Sequence, residues 1–153
     1  DGLPCYCGQQ GCLEAHTSDQ YILDRAKQIL KSINTNFDIQ ENEITHEQVL
    51  QAAKSGHPQI LDLYRRVGRD LGIGIKNMIN LFNPGAIILG GEGLRAKEYI
   101  LPSLKEEIVN NFFSPHTKNV EFILTDLGEE KWLIGAGSIV INKLFKEPLY
   151  REV

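Results

Sequence analysis

Apolar residues recur at helical spacing through most of this chain and form short unbroken runs at two places. From Tyr21, the residues Ile22, Ala26, Ile29, Leu30 and Ile33 fall on one helical face. Thr17 or Ser18 stands ahead of them as a cap, and Gln20 completes a capping box of the form T-x-x-Q. The polar stretch 34–43 reads as a loop. Thr45 with Gln48 repeats the box and opens a short helix through Val49, Leu50 and Ala53 that ends at Gly56. Pro58 suits the first position of a long helix predicted over 58–82, with Ile60, Tyr64, Val67, Leu71, Ile75, Met78, Ile79 and Phe82 on one face. Gly68, Gly72 and Gly74 lie inside it. Each costs about 1 kcal/mol relative to alanine, so together they predict another backbone packed closely there. Asn83-Pro84 stops the helix.

Beyond it the pattern changes. Ala86 to Leu89 is an apolar run broken by Gly90-Gly91, the signature of a strand covered on both faces. A helix from Lys97 to about Phe113, a second strand from Val120 to Leu124 and a last helix from Glu130 to Phe145 follow, and Pro148 ends the ordered part. The last helix carries the small residues Gly135, Ala136, Gly137 and Ser138. This order implies a parallel strand pair with a right-handed crossover, hence an α/β, helix-rich fold with a short parallel sheet. Two strands rarely make a stable sheet alone, so further strands are expected ahead of residue 1. The chain opens on Asp1 and its one methionine is Met78, which favours reading it as a piece of a longer protein.

Composition narrows the class. With 153 residues, 42% hydrophobic and 24% charged, the chain suits one globular domain and excludes a disordered chain, a collagen and a disulfide scaffold. The net charge of −4 and the lack of a lysine/arginine stripe argue against a grip on nucleic acid by this piece. No apolar run approaches the roughly 20 residues of a membrane helix. The longest, Leu133 to Ile141, is interrupted by Gly135, Gly137 and Ser138. No secretory signal opens the chain, and a cytoplasmic location without membrane contact is expected.

The chemistry concentrates in residues 1–12, a Gly- and Cys-rich loop. Cys5, Cys7 and Cys12 are spaced C-x-C-x4-C. A C-x-C disulfide would be strained and would leave one thiol over. Inert cysteines usually sit in apolar elements. Zinc is the third reading: thiolates close in sequence, with Gly8 and Gly11 freeing the backbone, converge readily on a tetrahedral ion. A structural site needs four ligands, and His16 is a candidate fourth, although it serves equally well as a helix surface residue.

The stretch CYCGQQGCLEAHTS, residues 5–18, resembles the zinc motif of the ROK family (repressors, open reading frames and sugar kinases). LGIGIKNMINLFNPGAIILGGEG, residues 71–93, is similar to the family's long helix, its stop and the strand ending in Gly-Gly. LGEEKWLIGAGSIVINKLF, residues 127–145, resembles its closing helix. The resemblance implies an actin-like (ribonuclease H-like) fold of two α/β lobes closing on a sugar, with this chain as the later part of the second lobe. It would be a single domain over 1–153, with a zinc and sugar loop at 1–18, a helical insertion at 19–57, and a long helix plus βαβα unit at 58–153. The resemblance also implies structural zinc held by Cys5, Cys7 and Cys12, with a histidine upstream of this chain completing the site. Glu14 would accept hydrogen bonds from sugar hydroxyls. Taken alone, Glu14 reads as a first-turn helix acid favoured by the dipole.

The same family contains kinases and repressors. In a kinase, Gly90 and Gly91 would face ATP and its magnesium, while the catalytic aspartate would lie upstream. Alone, Gly90-Gly91 reads as a strand-to-helix turn needing positive φ. Glu92 follows where family kinases commonly have a third glycine, and its carboxylate would repel polyphosphate. GGE, the segment around Trp132 and the tail FKEP look more like the family's xylose- and N-acetylglucosamine-type repressors. The reading favoured here is therefore the sugar-sensing part of a repressor and not an enzyme. Its parent would bind operator DNA through an upstream helix-turn-helix and pair through second-lobe helices. A fragment of a glucokinase-like sugar kinase is the alternative, and a zinc-ordered interaction module without a sugar is the third possibility.

Overall fold

The computed structural model describes residues 2–32, 44–109, 120–125 and 129–145. The predicted loop at 34–43, the end of the helix predicted from Lys97 at 110–113, the Pro148 stop and residues 146–148 of the FKEP tail lie outside them. The elements run α1 (Leu13–Thr17), α2 (Asp19–Ser32), α3 (His46–Lys54), α4 (Pro58–Phe82), β1 (Ala86–Leu89), a 3-10 turn at Glu92–Ala96, α5 (Lys97–Val109), β2 (Glu121–Leu124) and α6 (Glu129–Phe145). The strands pair in parallel, Ala86 opposite Glu121 through Leu89 opposite Leu124, with α5 in the crossover. This is the predicted α/β arrangement with its short sheet.

The long helix α4 organises the rest. Its N-terminal half buries Ile60, Leu63, Tyr64 and Val67 against Ile22, Ala26 and Leu30 of α2 and Val49, Ala52 and Ala53 of α3. Tyr64 stacks on Tyr99 with ring centroids 5.8 Å apart. Its C-terminal half buries Ile75 and Ile79 against Leu104 and Ile108 of α5, and Ile87, Leu89 and Phe122 of the sheet pack onto that cluster. Lys76 reaches from α4 to Glu107 of α5 at 2.6 Å, an ion pair largely withdrawn from water.

Two of the three helix glycines do what the sequence predicts. A Cβ on Gly68 would run into the Ile100 carbonyl and the Ser103 hydroxyl, and one on Gly72 would stand 2.9 Å from the Leu104 carbonyl oxygen. The α5 backbone therefore lies directly on α4 at one-turn spacing. Gly74 differs. It faces not a backbone but the Leu13 side chain, and so forms the seat on which α1 docks.

Several sequence expectations need correction. The turn Leu13–Thr17 forms its own helix ahead of α2. Ser18 therefore caps α2, its hydroxyl accepting from the Tyr21 N–H at 3.2 Å. The Thr17 hydroxyl instead donates back to the Leu13 carbonyl, and Gln20 donates to Asp24, so no T-x-x-Q box forms. The second box does form: Thr45 and Gln48 each satisfy the other's backbone N–H. Met78 and Phe82 are exposed, although Ile79 beside Met78 is fully buried against α5. The strand β1 is covered on one face only. Ile87 and Leu89 point into the core, whereas Ile88 is 65% exposed. The apolar residues of α6 from Leu133 to Phe145 are also exposed. Among the described residues no helix is long and apolar enough to cross a membrane.

Candidate functional site

The cysteine loop folds as a miniature hairpin. Cys5 N–H donates to the Gln9 carbonyl at 2.9 Å and Gly11 N–H to the Leu3 carbonyl at 2.9 Å, with Pro4 opposite Gln10. The turn between them needs Gly8 at φ 85°, a conformation that side chains disfavour. This fold brings the three sulfur atoms within 4.8 Å of one another, Cys7 and Cys12 being 3.5 Å apart. The thiols are free, and 3.5 Å is far beyond a disulfide bond. Tetrahedral zinc at about 2.3 Å from each sulfur sets its ligands about 3.8 Å apart, which lies inside that range.

The thiols' protonation points the same way. Cys7 is held below the ordinary thiol range, chiefly by the Gln9 backbone and then by Cys12 and Cys5. Cys12 is pushed up to about 11 by its hydrogen bonds to Cys7 and Cys5. Between Cys7 and Cys12 one sulfur ionises at its neighbour's expense, and a bound cation would favour the thiolate form. His16 does not join them. The converging group is Cys5, Cys7 and Cys12, while the His16 ring lies 6.1 Å from that of Tyr21.

The loop leads straight into the carboxylate. Cys12 is the residue before the first turn of α1, Leu13 docks on Gly74, and Glu14 follows. Glu14 is exposed, and its Oε2 accepts a hydrogen bond from the Tyr6 hydroxyl at 3.1 Å. That bond is the main reason the Tyr6 phenol is held above its ordinary range, so it stays a donor. Both residues line an open cavity of about 420 Å³, together with Cys5, Tyr21, Asp24 and Arg25. Small-molecule sites commonly occupy about 300–1,000 Å³. The structure brings Cys5, Cys7 and Cys12, singled out in the sequence, together, places Glu14 beside them, and adds Tyr6, which the sequence did not single out. Its only signal was an aromatic residue in an otherwise polar loop.

Gly90 and Gly91 lie apart from this cluster in sequence, at the C-terminal end of β1. Gly91 has φ 105°, and no atom lies within 4 Å of where its Cβ would be. The Arg95 guanidinium holds the Glu92 carboxylate at 2.7 Å. The expected repulsion of phosphate by Glu92 is thus partly offset. Behind the turn lies an apolar cavity of about 180 Å³ whose walls include Leu71, Leu89, Gly90, Gly93 and Leu94. Thr125 Oγ1, at the end of β2, is buried without a hydrogen-bond partner among the described residues.

The model of the ROK family matches residues 1–143. The xylose repressor of Caldicellulosiruptor bescii is 30% identical over 149 residues, covering 95% of this chain and 37% of the repressor. A solved ROK family transcriptional regulator, described as a homologue of the E. coli MLC protein, superposes with a TM-score of 0.76 at 30% identity, covering 91% of this chain and 35% of that one. A ROK family glucokinase from Streptomyces griseus, solved with glucose and AMPPNP, gives 0.72 at 28% identity, covering 91% of this chain and 47% of that one. The chain therefore spans between a third and a half of the length of these relatives. It shares their actin-like fold.

Proposed function

We propose that this chain, which belongs to the ROK family, is the sugar-sensing part of a sugar-responsive repressor of the xylose or N-acetylglucosamine type. The observation carrying this reading is the Glu14 carboxylate, presented at a cavity rim by a helix that grows directly out of a metal-ready cysteine loop. A carboxylate accepts from up to four directions and suits vicinal sugar hydroxyls. Cys5, Cys7 and Cys12 would hold zinc with a fourth ligand from the full-length protein. The ion would supply order to the loop and no chemistry. In the parent, bound sugar would shift the balance between two lobe arrangements and, with it, the affinity of an upstream helix-turn-helix for operator DNA. This is a cytoplasmic role.

The test is Glu14→Gln in the full-length protein, titrated with D-xylose, D-glucose and N-acetyl-D-glucosamine. Losing one charged hydrogen-bond partner costs about 1.5–3 kcal/mol, so affinity for the preferred sugar should fall about ten- to a hundredfold while the melting temperature holds. Unaltered affinity would return Glu14 to the role of a helix-favoured acid.

The second reading, a sugar kinase, is favoured by the open Gly90-Gly91 turn and by Arg95, which offsets the charge of Glu92. Arg95 does not remove the bulk of Glu92, which still narrows the approach a polyphosphate would take. ATP-dependent phosphorylation of any of the three sugars by the full-length protein would decide for the kinase, and sugar-dependent release of operator DNA for the repressor.

The bare face of β1 at Ile88 and the exposed Leu133, Ile134 and Phe145 of α6 favour association. The isolated 153-residue chain should therefore sediment at equilibrium as a dimer or larger species at micromolar concentration. A clean monomer with a cooperative melt would show that its core is self-sufficient.

A further inference from the structure

We propose that Tyr6 is a positioning residue for the sugar site: its hydroxyl holds the Glu14 carboxylate in one orientation, so that the cysteine loop sets the geometry of the sugar acceptor. The inference rests on the reading of Glu14 as that acceptor. Tyr6 stands between Cys5 and Cys7, at the tip of the hairpin, yet its ring is 86% exposed. It contributes almost nothing to packing. What it does is donate to Glu14 Oε2 at 3.1 Å, across eight residues of sequence. Glu14 is exposed on a five-residue helix with no buried residue of its own. Glutamate is among the side chains that lose most rotamer freedom when ordered. An exposed glutamate left to itself would sample many rotamers, and a sugar would have to fix one of them on binding. With Oε2 already engaged, that ordering is done before the ligand arrives. A phenol is a suitable holder. It donates from a rigid ring with few torsions.

The arrangement also explains why a metal loop should lie beside a sugar carboxylate. Tyr6 belongs to the loop backbone that the three sulfurs would clamp. Any ion there would fix the donor and, through it, the acceptor, without touching the sugar.

The experiment compares Tyr6→Phe, Tyr6→Leu and Glu14→Gln in the full-length protein by calorimetric titration with D-xylose, D-glucose and N-acetyl-D-glucosamine. Melting temperature and zinc content are measured alongside. Tyr6→Phe removes the hydroxyl and keeps the ring. Affinity for the preferred sugar should fall about three- to tenfold, the usual cost of ordering one rotamer-rich side chain on binding. Tyr6→Leu should fall by the same factor, with melting temperature and zinc content unchanged in both. Three results overturn the inference and leave Glu14 in place: wild-type affinity in Tyr6→Phe, a loss seen only in Tyr6→Leu (the ring itself then stacks on the sugar), or a loss accompanied by lower zinc content or melting temperature. Tighter binding in Tyr6→Phe also overturns it, since Tyr6 would then compete with the sugar. If Glu14→Gln binds as the wild type does, the acceptor reading falls first and this inference falls with it.

Discussion

Gly68→Val in the full-length protein should lower the stability of the region built on α4 by about 2–4 kcal/mol, read as an earlier urea midpoint. A first side-chain carbon at position 68 meets the Ile100 carbonyl oxygen and the Ser103 hydroxyl, and the next carbons have no room at all. Ser103 cannot swing clear without cost, because its hydroxyl donates to that same carbonyl at 3.1 Å. The α5 backbone would have to move, and α5 carries Ile100, Leu104 and Ile108 of the core. Gly74→Ala is the control. Its Cβ would stand 2.6 Å from Leu13 Cδ2, the far end of a flexible and exposed side chain. Leu13 can turn aside, and alanine should recover about 1 kcal/mol of helix propensity. The control should come out near neutral or slightly stabilised. Equal losses at both positions would show that the glycines are needed for something other than the α4–α5 approach.

That pair of mutants also marks how far the sequence could be read. Three glycines in one helix announced a close neighbour, and the neighbour is there. The letters could not show that Gly68 and Gly72 face a backbone while Gly74 faces one side chain, because that depends on where α1 and α5 dock. The ends of α4 and β1 were legible because Pro58, Asn83-Pro84 and Gly90-Gly91 act locally on the backbone. Asn83 takes φ 44°, a helix-ending conformation that asparagine tolerates. The T-x-x-Q box failed for the converse reason. Thr17 was claimed by a short helix, α1, whose Leu13 packs on Gly74, and no local pattern encodes where that helix begins.

Exposure was the least legible property. Met78, Phe82 and Ile88 are apolar and correctly phased, but hydrophobic phase states which way a residue faces and not whether anything covers it. The cysteine cluster was legible because three thiols within eight residues, with Gly8 to turn the backbone, need only one tight turn to converge. The Tyr6–Glu14 bond was invisible, since nothing in the sequence fixes the direction of an exposed tyrosine.

Cys7→Ser should strip the full-length protein of its metal. A serine hydroxyl stays protonated near neutral pH and is a poor zinc ligand, whereas the Cys7 thiol is held below its ordinary range by the Gln9 backbone and the neighbouring thiols. Changes one shell further out already cost about 10–100-fold in metal affinity, so loss of a direct ligand should exceed a hundredfold. Dialysed against a mild chelator, the wild type should keep about one zinc per chain and Cys7→Ser close to none, as elemental analysis would read directly. Retention of zinc by the variant would remove Cys7 from the ligand set. The structural consequence follows from how little else holds the hairpin. None of the residues from Gly2 to Gly11 is buried, and the hairpin's backbone is closed by a few hydrogen bonds around the Cys5–Gln9 turn. Fixing a residue's backbone costs about 1–2 kcal/mol, and little apolar burial is available here to offset it, Leu3 and Cys5 being only half-buried. Structural zinc can supply that order, with apparent binding energies of about 10–16 kcal/mol in small metal-folded domains. The metal-free variant should therefore be cut by protease within residues 2–11 while α4 and α5 stay protected. If the zinc-free loop resists cleavage as well as the loaded one, the hairpin is held by its own hydrogen bonds. The three cysteines would then need another explanation than a structural ion.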